Sequence, residues 1–179
     1  SAMIRAYQNQ GNLNKTLSYL KKQFKKNDLN LSRFSSWIFF NNYKKNWTQA
    51  DFLKYSKLFS NKVQDFKINK PIELNIIKKS KIKLGFLSSE ILKKHSITYF
   101  LETIFKNLNT HKFEIYLYLD NYIEDENTNE FKTLAKKSIN VSNLEDIDAF
   151  NLIREDNIDI MFDVTGMTTS NRVVLFKNR

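Results

Sequence analysis

The sequence predicts an α/β fold in which a doubly wound parallel sheet follows a small helical region. Three observations carry this reading. Residues 4–66 hold apolar side chains at helical spacing and show little strand pattern. From residue 81 the period changes. Short apolar or alternating runs, KIKLGFL (81–87), FEIYLYL (113–119), SINV (138–141) and IDIMF (158–162), are separated by helical stretches. Strands alternating with helices pair in parallel through right-handed crossovers, which gives four βα units after a helical preface.

In the preface, Leu13, Leu17, Leu20 and Phe24 recur at helical spacing, with Gly11-Asn12 as the turn before them and Asn27-Asp28 as the stop. Phe34, Trp37, Ile38 and Asn41 mark a second helix. Thr48-Gln49-Ala50-Asp51 caps a third, whose apolar face is Phe52, Tyr55, Phe59, Val63 and Phe66. These aromatic stripes read as core packing. The pattern weakens over 67–79, which holds the only proline, Pro71, and reads as a linker. Beyond it, Ile97, Phe100, Leu101, Ile104, Phe105 and Leu108 mark one helix face, and another helix is expected around 127–137. Ser142-Asn143-Leu144-Glu145 reads as a capping box for a helix running to about Glu155, and a last helix is expected from near Ser170. The expected organisation is a helical region at 1–66, a linker at 67–79 and a Rossmann-like lobe at 80–179.

Composition limits the function classes. The 179 residues, 41% hydrophobic, suffice for one core with an appendage. There is no cysteine, which excludes disulfides and thiolate metal sites. No apolar run approaches the roughly 20 residues of a membrane span, and no basic-then-apolar leader opens the sequence, so a soluble, cytoplasmic protein without a membrane partner is expected. The net charge of +10 invites a nucleic-acid partner. Lysines scattered through every segment read instead as a solvated basic surface, and nucleic acid is not the expected partner.

With the common strand order 3-2-1-4, the first and fourth strands meet where the winding reverses, and the loops after them form the expected crevice. Those loops are SSEILKKHS (88–96) and DVTGMTT (163–169). His95 stands in the first. It can act as general base or hydrogen-bond donor, since its reference pKa of about 6.5 lies near neutrality, or it can be an exposed loop residue beside the Ser96 cap. Gly166 in the second points to a positive φ or to a ligand close to the backbone. His111 lies at the opposite end of the sheet. No G-x-G-x-x-G or Walker sequence follows the first strand, no serine triad has a defensible spacing, and no ligand set for a metal emerges, Asp120, Glu124, Asp125 and Glu126 reading as a solvated loop.

Three blocks in order, KIKLGFLSSEILKKHS, NTHKFEIYLYLDN and NIDIMFDVTGMTTSNRVVLF, resemble the first half of the catalytic region of O-linked N-acetylglucosamine transferases and their SPINDLY-like relatives, glycosyltransferase family 41. The matching residues are Gly85, Ser88 and His95, then Lys112, Phe113 and Glu114, then Asp159, Ile160, Asp163, Gly166, Thr168, Asn171 and Arg172. The preface is similar to the connector that joins tetratricopeptide repeats to that region, with a degenerate last repeat before it. Glu90 and Ile91 replace the family's Asp-Phe, Ser96 replaces a proline, and Met167 stands where the family carries His or Tyr.

The resemblance implies the N-terminal lobe of a two-lobed GT-B glycosyltransferase that moves N-acetylglucosamine from UDP-GlcNAc to Ser or Thr hydroxyls of an acceptor protein, with inversion and no required metal or other cofactor. It implies His95 as the catalytic residue, and Ser88, Gly166, Met167, Thr168 and Arg172 as substrate-binding residues. The donor site would lie mainly on a second lobe outside this sequence, so the chain reads as a fragment inactive alone. A non-catalytic interaction module with a degenerate lobe is the alternative, favoured by Ser96 and Met167.

Overall fold

The computed structural model describes residues 2–24, 31–64, 80–91, 96–121, 123–168 and 171–177. The chain forms two compact units, Ser1–Asn69 together with Met167–Arg179, and Lys70–Gly166. The expected linker at 67–79 lies outside the described residues. The segment from Met167, which the expected organisation assigned to the lobe, groups with the helices, and Met167, Val173 and Val174 pack with their core.

The first unit contains α1 (Ala2–Asn9), α2 (Leu13–Phe24), α3 (Leu31–Asn41), α4 (Gln49–Gln64) and a 3-10 turn at Val173–Phe176. Gly11, at φ +64, makes the tight turn between α1 and α2 that an L side chain would resist. Burial follows the helical periods: Ile4, Leu17, Leu20, Phe34, Trp37, Ile38, Phe59 and Val63 form one apolar core. Trp37 meets Trp47 and Tyr55 edge to face, with ring centres 5.6 and 4.8 Å apart, an arrangement that the ring quadrupole favours. The expected cap of α4 is present. Asp51 accepts from the Thr48 backbone N–H at 3.1 Å and from its hydroxyl at 2.7 Å, while the Asp51 N–H donates to Thr48 Oγ1 at 3.1 Å. Phe52, assigned to the inner face, is 37% exposed, while Tyr55 of the same helix packs against the core. Phe66 and the Asn27-Asp28 stop fall outside the described residues.

The second unit is the α/β lobe. Its order is β1 (Ile82–Ser88), α5 (Ser96–Asn107), β2 (Phe113–Leu119), α6 (Glu126–Leu134), β3 (Lys137–Asn140), α7 (Asp146–Glu155) and β4 (Ile160–Asp163). The strands are all parallel in the order β3-β2-β1-β4, with Phe86 opposite Leu117 on one side and Phe162 on the other. This is the expected Rossmann-like arrangement. One sheet face presents Leu84, Phe86, Ile115, Leu117 and Leu119 to Leu101, Phe105 and Phe131. On the other face Gly85 has no room for a side chain: a Cβ there would lie 2.5 Å from Met161 Sδ and 2.9 Å from Ile158 Cγ2.

Three expectations are corrected. Phe100 and Ile104 are 69% and 48% exposed; the buried stripe of α5 runs through Leu101 and Phe105, with Ile97 and Leu108 beside it. Ser142 does not cap α7, whose N-cap is Glu145 with no side-chain cap bond. The Ser142 hydroxyl donates to Asn140 Oδ1 at 2.7 Å instead, holding the turn after β3. The capping box belongs to α6, where Asp125 accepts from the Thr128 N–H at 2.9 Å. The last element is the 3-10 turn from Val173, and Ser170 lies outside the described residues.

Candidate functional site

β1 and β4 are adjacent strands at the point where the sheet order turns back, so their C-terminal ends open side by side. Backbone bonds carry the ladder past the strands: the Val164 N–H donates to the Leu87 carbonyl at 2.9 Å, and the Asp120 N–H to the Ser88 carbonyl at 2.8 Å. The loops themselves are then tied together. The Ser89 N–H donates to Thr165 Oγ1 at 2.9 Å, and the two hydroxyl oxygens lie 3.2 Å apart.

Each loop is also held from within. Ser88 is fully buried and its Oγ accepts the Glu90 N–H at 3.0 Å. The Asp163 carboxylate accepts the N–H of Thr165 at 3.1 Å and of Gly166 at 2.9 Å, an Asx turn. Gly166 sits at φ +61, where a side chain would be strained, and among the described residues nothing beyond its chain neighbours lies within 4 Å of where a Cβ would be. Glycine is needed here for the backbone, and the space beside it is open.

The end of β2 adds a third edge. Asn121 is 5% exposed; its Nδ2 donates to the Ile123 carbonyl at 2.7 Å, while its buried Oδ1 has no partner among the described residues. Its carbonyl accepts from Asn140 Nδ2 at 2.9 Å. Nearby, Lys132 hydrogen-bonds Glu124 and holds its carboxyl below the usual range. A buried acceptor left unmet beside two tied loops is a group that a hydroxyl or amide donor can satisfy.

Ser88 and Gly166 are therefore brought to the same end of the sheet. His95, with residues 92–94, lies outside the described residues; Ser96 begins α5. Met167, Thr168 and Arg172 fall in the first unit. Met167 packs against its apolar core. The Thr168 carbonyl accepts from Ser36 Oγ at 3.3 Å and Asn171 Nδ2 at 2.6 Å, and Asn171 Nδ2 also donates to Ser35 Oγ at 2.8 Å. Arg172 precedes the 3-10 turn, its carbonyl accepting the Leu175 N–H at 3.0 Å. Sequence reasoning missed the Ser89 and Thr165 pair and the buried Asn121. The Asx turn was signalled by Asp163 standing three residues before Gly166; nothing in the sequence alone marks a partner 76 residues away.

No described helix is long and apolar enough to cross a membrane. Among the described residues no three His, Cys, Asp or Glu side chains converge as a metal ion requires. No protein-family model matches the chain. No curated protein matches it either. Among solved structures it is similar to a mutant O-GlcNAc transferase of Thermobaculum terrenum, with a TM-score of 0.81 and 19% identity over 94% of this chain. The match covers 32% of that longer chain. At such identity the likeness is one of fold.

Proposed function

We propose that this chain is part of a protein O-glycosyltransferase that moves N-acetylglucosamine from UDP-GlcNAc to Ser or Thr hydroxyls, supplying the lobe opposite the donor-binding one. The observation that carries the reading is the junction of the β1 and β4 loops through Ser89 and Thr165 at the turning point of the sheet. The fold likeness to an O-GlcNAc transferase supports the reaction class. The chain spans about a third of that protein, so activity belongs to a longer polypeptide, with UDP-GlcNAc held mainly by its second lobe.

In the proposed step an acceptor hydroxyl attacks the anomeric carbon, the bond from that carbon to the UDP oxygen breaks, and the diphosphate leaves with the electron pair. His95, the residue before Ser96 in the sequence, takes the hydroxyl proton or positions the hydroxyl for attack. Ser88 and Gly166 shape the loops after β1 and β4, and Thr168 and Arg172 follow β4 in the sequence. No other cofactor takes part.

A second reading, a non-catalytic interaction module, is favoured by Met167, whose side chain packs against apolar residues and offers no hydrogen bond to a substrate. Incubating the natively encoded protein with UDP-GlcNAc and following UDP release in the presence of Ser/Thr-rich acceptor peptides separates the two. UDP release coupled to peptide modification supports the transferase, and its absence supports the module.

A further inference from the structure

The net positive charge of this protein resides in one of its two units. Ser1–Asn69 with Met167–Arg179 contains sixteen Lys and Arg against three acidic residues, a formal +13. Lys70–Gly166 contains thirteen against sixteen, a formal −3, and the two units together give the chain's +10. Lysines are spread alike, twelve in each unit; the difference lies in the arginines, four against one, and above all in the carboxylates, which are nearly absent from the first unit.

The first unit also carries an open groove. A groove of about 630 Å³ opens between the turn joining α1 to α2 and the turn joining α3 to α4, lined among others by Asn12, Asn14, Tyr43, Lys44, Lys45 and Asn46. No carboxylate lines it, and none among the described residues pairs with Lys44 or Lys45. The unit's one described carboxylate, Asp51, is committed to the cap of α4. The N-terminal end of α2 faces this turn, with Asn12 Oδ1 accepting the Lys15 N–H at 3.1 Å, and adds its partial positive charge.

We propose that this groove binds an acidic segment of a partner protein, its carboxylates meeting Lys44 and Lys45 and its backbone meeting the asparagine amides. The lining favours a polypeptide over a nucleic acid. Strand-binding grooves stack successive bases on several aromatic rings, whereas Tyr43, 67% exposed, is the one ring lining this groove. Phosphate sites also favour the guanidinium fork, and no arginine lines the groove. The inference is independent of glycosyl transfer, since it concerns only what the helical unit attracts.

Fluorescence anisotropy with the whole chain tests it, using a labelled peptide of alternating Glu and Ser, the same peptide with Gln for Glu, and a single-stranded RNA of matched length. The Glu peptide is expected to bind, more weakly as salt is raised. The double variant Lys44→Glu, Lys45→Glu is expected to lose roughly tenfold or more in affinity, with its circular dichroism unchanged. Lys136→Glu, an exposed change in the acidic unit, is expected to bind as the parent does. No binding of the Glu peptide, equal binding of the Gln peptide, tighter binding of RNA, or an unaffected double variant would each overturn the proposal.

Discussion

The backbone N–H of Ser89 donates to the Thr165 hydroxyl at 2.9 Å, joining the loop after β1 to the loop after β4 across 76 residues of sequence. The bond fixes the separation of the two loops at the candidate site. Thr165→Val keeps the shape but leaves the Ser89 N–H without its acceptor. It is expected to cost about 1–2 kcal/mol in urea unfolding, while Thr165→Ser retains most of the stability.

Gly85→Ala tests the packing beneath the site. The added methyl would stand 2.5 Å from Met161 Sδ and 2.9 Å from Ile158 Cγ2, so strand or side chains must move. A loss of about 1–3 kcal/mol is expected, read as a lower urea midpoint.

The Asx turn gives a local prediction. Asp163→Ala removes the acceptor of the Thr165 and Gly166 N–H groups. Amide hydrogen exchange at these two positions is expected to accelerate while the β1 and β2 amides stay protected. Gly166→Ala, forced to φ +61 with open space around it, is expected to cost about 1 kcal/mol through backbone strain alone.

Tyr118 sets a dependence at high pH. Its side chain is 1% exposed and its hydroxyl donates to Asp156 at 2.8 Å. Burial first, and then the hydrogen bond and charge of Asp156, raise the phenol above its ordinary value. The unfolded phenol ionises near about pH 10 while the folded one stays neutral. This contribution is therefore fully present below that pH and is lost as pH rises toward the folded value. Stability followed by urea unfolding is expected to fall above about pH 10, and Tyr118→Phe is expected to flatten that fall at a cost of about 1 kcal/mol at neutral pH.

What the sequence revealed follows from what local pattern encodes. Alternation and apolar runs mark β1 and β2 at nearly their observed limits, and the parallel order follows because βα repeats leave few right-handed solutions. The Thr48 and Asp51 cap is local and was legible. The inner face of α5 was misread because Phe100 and Ile104 satisfy helical spacing as well as Leu101 and Phe105 do, and only the sheet decides which pair is covered. The placement of Met167 with the helices, and the meeting of Ser89 with Thr165, depend on contacts far apart in sequence that no local period records. Charge segregation was present in the sequence but became visible only once the two units were known, since the lysines are indeed spread evenly and the missing carboxylates carry the signal.

The most direct measurement is the initial rate of N-acetylglucosamine transfer from UDP-GlcNAc to a Ser/Thr acceptor peptide by the natively encoded protein, compared with its His95→Ala variant by mass spectrometry. The proposed transferase adds the sugar to a hydroxyl, and the variant, folded by circular dichroism, loses at least about a hundredfold in rate. Equal transfer by both proteins would remove His95 from the reaction, and no transfer by the native protein would contradict the function itself.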